Sequence, residues 1–165
     1  MCRQKNKNEF GLTKVSQNIT SNLARKKYFC IVKKRKNMDK KIISTGAIFG
    51  MLAIVLGAFG AHALKKVLSI EELSTFETGV KYQMYHALFL LFIGMNSSIT
   101  QKAKKTIYIL TLFGVIFFSG SIYLLATNSL TTFDFKIIGF VTPIGGLLLI
   151  LAWGALLLNY SNKKS

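Results

Sequence analysis

Four stretches of this 165-residue chain run for 20 residues or more with hardly a charge among them. Ile42–Leu64, Thr106–Thr127 and Ile137–Leu158 contain no Asp, Glu, Lys or Arg, and Val80–Ile99 contains only Lys81. A hydrocarbon layer of ~30 Å asks ~20 apolar residues of a helix that rises 1.5 Å per residue. Each run is too long for a strand, and four buried helices would leave so short a chain no polar exterior. The pattern predicts an all-α membrane protein whose transmembrane helices span about residues 42–64, 80–99, 106–127 and 137–158. The connections are short, so consecutive helices should be antiparallel neighbours in an up-down bundle of four.

Residues 1–37 obey different physics. They hold 11 Lys and Arg against the single acid Glu9, so they carry +10 of the net charge of +16. Their one apolar cluster, Tyr28 to Val32, is five residues long, too short for a signal-peptide core of about 7–15. The expected organisation is a basic, disordered extension over 1–37 and a four-helix transmembrane domain over 38–165. Met38-Asp39-Lys40-Lys41 leads straight into the first span, as small membrane proteins commonly begin, which makes an upstream in-frame addition the expected origin of 1–37. If made, Arg25–Lys36 has the charge to contact anionic lipid, at ~1 kcal/mol per basic residue near the surface. Tethered to a bilayer, that run is not expected to serve nucleic acid. Cys2 and Cys30 are too few for a disulfide framework.

Orientation follows from the basic residues next to the span ends. Lys40, Lys41, Lys102, Lys104, Lys105, Lys163 and Lys164 lie on one side; Lys65, Lys66, Lys81 and Lys136 lie on the other. Both termini are expected in the cytoplasm of a cell whose plasma or inner membrane the chain crosses. Between the first two spans, Ser69-Ile70-Glu71-Glu72 reads as a capping box. Leu73, Phe76 and Val80 follow at helical spacing, and Glu77 and Lys81 form an i,i+4 pair. A short amphipathic helix is expected there, running through or bending at Gly79 into the second span.

Lipid gives helices no hydrophobic reason to associate, so small residues must let them approach. Gly46, Gly50, Ala53, Gly57 and Ala61 place a smooth stripe on the first span. Ser119, Gly120 and Ser121 supply small and polar contacts on the third. On the fourth, Pro143 with Gly145 and Gly146 predicts a kink, whose freed carbonyl the Thr142 hydroxyl or a neighbouring helix would satisfy. Trp153 and Tyr160 suit an interfacial belt.

Intramembrane polar residues are the usual pointers to chemistry. His62, near the end of the first span, and His86, early in the second, are expected at one level. With Tyr82, Tyr85 and Glu77 they make a candidate polar cluster. Histidine titrates near pH ~6.5 and can relay protons or bind metal, yet it can equally donate one interhelical hydrogen bond. No further ligand completes a metal site, no cofactor is indicated, and no catalytic residue is assigned. Gly57-Ala58-Phe59-Gly60 lacks the Lys-Ser/Thr of a phosphate loop.

Four local strings carry a resemblance. Gly57 to Leu64 reads GAFGAHAL, Phe76 to Leu88 reads FETGVKYQMYHAL, Phe118 to Tyr123 reads FSGSIY, and Thr142 to Gly146 reads TPIGG. In this order they resemble the small multi-pass membrane proteins of domain of unknown function 423, related to the transmembrane protein 256 group. The resemblance runs from Met38 to about Tyr160 and implies a bacterial-type multi-pass membrane protein; it brings no reaction to any residue. The expectation is a non-enzymatic membrane module or accessory subunit, working as a homo-oligomer or beside a membrane protein partner. The alternative is a small permease or ion- or proton-conducting protein using His62 and His86.

Overall fold

The computed structural model describes residues 37–161 except 133. The basic run Arg25–Lys36 lies outside the described residues. Within them the secondary structure is helical throughout, in four long helices joined by turns and short 3₁₀ segments. Helix α1 covers 37–62, α2 Ile70–Met95, α3 Gln101–Ala126 and α4 Val141–Ser161.

Three helical stretches are long and apolar enough to cross a membrane: Asn37–Lys66, α3 and α4. The second expected span is where the observed boundaries differ most. The amphipathic helix expected after Ser69 runs through Gly79 into the second span, making one continuous helix of 26 residues from Ile70 to Met95 that ends short of the expected 99. The capping box explains its start. The Ser69 N–H donates to Glu72 Oε2 at 2.8 Å, and the Glu72 N–H donates to Ser69 Oγ at 3.2 Å. The helix is unbroken at Gly79, where Ile122 and Tyr123 occupy the place a side chain would take. The first turns of α2 hold Glu71, Glu72, Glu77 and Lys81, so its N-terminal half is polar and its C-terminal half is the apolar one.

The other boundaries move for local reasons. Thr100 caps α3 by accepting from the Ala103 N–H at 3.3 Å, so the helix begins five residues before the expected 106 and absorbs Lys102, Lys104 and Lys105. The expected fourth span over 137–158 starts late: Phe135–Ile138 forms a 3₁₀ turn, and α4 opens at Val141. Pro143 therefore sits in the first turn, where its missing N–H would have had no partner, and it is exposed. The expected kink loses its cause, and Thr142 bonds elsewhere: its hydroxyl lies 2.7 Å from that of Ser121.

Buried stripes with heptad-like steps form the core. On α2 they are Phe76, Gly79, Gln83, His86, Leu90 and Ile93; on α3 Lys104, Ile107, Thr111, Val115, Ser119, Ile122 and Ala126. Glycines show where the helices touch. A Cβ on Gly145 would run into the backbone of Phe117 and Phe118, and one on Gly114 would meet Leu149. Gly94 packs against Ile43 and Gly46 against Ala87 and Leu90. Gly50 and Gly57 keep ordinary contact with Ala87 and Val80, Ala53 is buried, and Ala61 is exposed. Gly146 meets only the Phe118 ring, and Gly120 faces nothing within 4 Å.

Candidate functional site

Polar residues between the helices make three sets of contacts. Gln83 is the first. Its Nε2 donates to the Phe49 carbonyl of α1 at 2.9 Å, and its Oε1 accepts from the Tyr123 hydroxyl of α3 at 2.9 Å. One amide thus joins α1 to α3 through α2. The Tyr123 ring leans on Phe76 at 4.9 Å, which fixes the direction of its hydroxyl.

Lys104 is the second. Although charged, it is 1% exposed. Its Nζ donates to Asp39 Oδ1 at 2.7 Å and to the Gly94 carbonyl at 3.1 Å. Gly94 lies in the last turn of α2, whose carbonyls lack partners within the helix and carry its negative dipole end. The ammonium therefore satisfies a helix end and a carboxylate together, tying α1, α2 and α3. The third set joins pairs of helices: Thr45 to Tyr108 at 3.2 Å, Ser121 to Thr142, and Asn96 to Tyr160 at 2.8 Å. Asn159 accepts from Thr100 through both its N–H and its hydroxyl.

His62 and His86 do not meet. Across the α1–α2 hairpin, Gly57 faces Val80 and Gly60 faces Phe76, which sets His62 level with Ser74 and Thr75. His86 lies eleven or twelve residues further along α2, about 17 Å away along the axis. The common level expected of them assumed a second span beginning near residue 80; α2 begins at Ile70, and His86 is buried. His62 is exposed. Glu77 is exposed too and pairs with Lys81 at 3.4 Å. Tyr85 is 58% exposed, and Tyr82 stacks along His86 with centroids 6.4 Å apart. Of the five expected cluster members, Tyr82 and His86 are brought together, with Tyr85 beside Tyr82 at 6.0 Å.

His86 Nδ1 lies 2.8 Å from the Tyr82 carbonyl. A carbonyl only accepts, so Nδ1 holds the proton and Nε2 keeps its lone pair. Nε2 is buried without a partner, and so are the hydroxyls of Thr111 and Ser119. One surface groove of about 530 Å³ is lined by Thr100, Lys102 and Asn159, and another of about 400 Å³ by Tyr85, Phe89 and Trp153. Neither is lined by His62 or His86. Trp153 stacks on Phe89 at 4.3 Å, mid-helix, where it is part of the α2–α4 contact. No group of three His, Cys, Asp or Glu suited to a metal occurs among the described residues.

Sequence reasoning passed over Gln83, Tyr123, Asp39 and Thr111, and read Lys104 only as an orienting charge. A signal existed: Lys104, Thr111 and Ser119 share the helical face of Ile107 and Val115. A charge in step with an apolar stripe is a buried charge.

Long apolar helices, with polar side chains turned toward one another and large apolar ones outward, define a multi-pass integral membrane protein. Its sequence matches over residues 56–146 the family described as a protein of unknown function, DUF423. The chain belongs to that family. A UPF0382 membrane protein of Staphylococcus saprophyticus is 46% identical over 114 residues, 69% of this chain and 91% of the relative. A UPF0382 membrane protein of Haemophilus influenzae is 33% identical over 128 residues, 78% of this chain and 99% of the relative. The inner membrane protein YgdD of Escherichia coli is 35% identical over 121 residues, 72% of this chain and 87% of the relative. No solved structure matches the chain.

Proposed function

We propose that this chain is a non-enzymatic membrane module: an up-down bundle that crosses the plasma or inner membrane four times, with both termini in the cytoplasm. The observation that carries it is the bridge through Gln83, which binds a carbonyl of α1 and a hydroxyl of α3 at once. Polar groups spent on holding helices together suit a rigid module that presents its outer faces to lipid and to other subunits. The inner half of α2 supplies the fourth crossing, between α1 and α3. The excess of Lys on the side of Lys40, Lys102 and Lys105 supports the orientation, and the Escherichia coli relative is named an inner membrane protein. Arg25–Lys36 would add contact with anionic lipid in the same leaflet.

Labelling single cysteines tests the topology, in a background with Cys2 and Cys30 replaced by Ser. Ser129→Cys, in the α3–α4 connection, and Lys66→Cys, between α1 and α2, should react with an impermeant maleimide on intact cells, and Ser97→Cys, between α2 and α3, only after permeabilisation. Equal labelling of Lys66→Cys and Ser97→Cys would sink the four-crossing reading. Native mass spectrometry of the protein in its own lipid tests the module: masses of whole chains, lipids and protein subunits are expected. A retained organic cofactor or metal would refute it.

A further inference from the structure

The deepest unexplained feature lies along α2 and α3. Ser119, Thr111 and His86 are 1%, 0% and 5% exposed, and each presents a buried polar atom without a partner. Burying such an atom unpaired is costly, and interhelical bonds have claimed the neighbouring Gln83, Tyr123, Thr45 and Tyr108. The three are supplied by the buried residues of two helices that pack together.

Their order follows from the pairing of the helices. Gly79 meets Ile122 and Tyr123, Tyr82 meets Phe118, and Gly94 meets Lys104. His86 is therefore level with Gly114 and Val115, between Ser119 on the outer side and Thr111 on the inner. The steps along the axis are ~5–8 Å, the span of one or two water molecules hydrogen-bonded at ~2.8 Å each. Beyond Ser119 lies the Gln83–Tyr123 pair, close to the polar outer half of α2. Beyond Thr111 come Thr45 with Tyr108, then Lys104 with Asp39, whose side chain is 26% exposed at the inner end. Polar groups thus recur at every turn or so from one end of the bundle to the other.

We propose that the α2–α3 seam is a proton path, in which water relays protons between Ser119, His86 and Thr111. The chemistry balances without any further reactant. A hydrated proton reaching Ser119 passes to the lone pair of His86 Nε2, making a transient imidazolium. The water at Nε2, once turned toward Thr111, takes the proton as that N–H bond breaks, and neutral His86 is restored. Nδ1 keeps its proton on the Tyr82 carbonyl throughout. The hydroxyls of Ser119 and Thr111 hold the waters by accepting one hydrogen bond and donating another. The ligand is water, the transported species is the proton, and the direction is set by the gradient across the membrane.

The test uses the full chain reconstituted into phosphatidylcholine vesicles that contain a pH-sensitive dye. A potassium gradient with valinomycin drives proton entry. The wild type should acidify the lumen about tenfold faster than protein-free vesicles, and Ser119→Ala with Thr111→Val together should return the rate to within about twofold of that background. Neither hydroxyl has a partner to lose, so the double variant should elute from gel filtration as the wild type does. Wild-type vesicles no faster than protein-free ones would overturn the proposal, as would a double variant that conducts like the wild type. A variant that fails to insert is replaced by solid-state NMR of the ¹⁵N-histidine wild type. A cross-peak from water to His86 Nε2 is expected there, and its absence would overturn the proposal. Loss of the proton path leaves the cysteine-labelling result untouched, so the two readings fail separately.

Discussion

The α1–α2 seam and the α3–α4 seam both use glycine, and they use it differently. On α1 small residues recur through five positions, yet only Gly46 is closely pressed, with Ala87 O 3.0 Å from where its Cβ would stand; Gly50 and Gly57 leave 3.7 and 3.5 Å. Between α3 and α4 there is no such stripe, but Gly145 lies against the backbone of Phe117 and Phe118 and Gly114 against Leu149. A flexible side chain can yield a few tenths of an ångström; a helix backbone cannot. A repeated small residue thus marks a surface that two helices share, whereas the closest approach is set by single glycines facing main chain.

The comparison can be broken most directly at Gly145. Gly145→Ala should cost ~3 kcal/mol, because backbone must move, and thermal unfolding in detergent would show it. A loss below ~1 kcal/mol would place the tight contact elsewhere. Lys104→Met comes next, at ~2 kcal/mol, since it strips Asp39 and the Gly94 carbonyl of their partner. Adding Asp39→Asn should recover part of that loss, which a packing effect alone would not allow. Gly46→Ala should cost ~1 kcal/mol, because the main-chain Ala87 carbonyl stands at 3.0 Å while the Leu90 and Leu91 side chains can shift. Gly57→Ala and Gly50→Ala should be neutral or gain ~0.5 kcal/mol, because alanine is the better helix former and room exists for it.

The smallest effect concerns pH. Glu72 sits outside the spans, and its carboxylate is held below the ordinary range by the Ser69 backbone N–H, then by the hydroxyls of Ser129 and Ser69. Its contribution is therefore present above the unfolded carboxylate pKa of 4.5 and lost as pH falls through the lower folded value. Acidification should fray the first turn of α2 while α3 and α4 hold, as amide exchange at Glu71 to Leu73 would report. Glu72→Gln should remove most of that pH dependence.

Much of this was legible from residue order. Charge-free runs identify the apolar helices because composition and length alone decide what a bilayer accepts. The Ser69–Glu72 box and the Glu77–Lys81 pair could be read outright, since both act within a turn of their own helix. Less legible was where helices begin. Thr100 and Val141 moved two starts by about four or five residues, and the continuous α2 carried His86 away from His62.

The sequence by itself determined a chain of apolar helices in a membrane. Those properties depend on solvent transfer and local hydrogen bonding, which few residues settle at a time. Only the tertiary structure decided that Lys104 is buried, that Gln83 links three helices, and that Ser119, His86 and Thr111 are buried with polar atoms unpartnered. Those depend on the register between helices. A one-residue slip turns a side chain by about 100° around its axis, and no local rule in the chain sets that register.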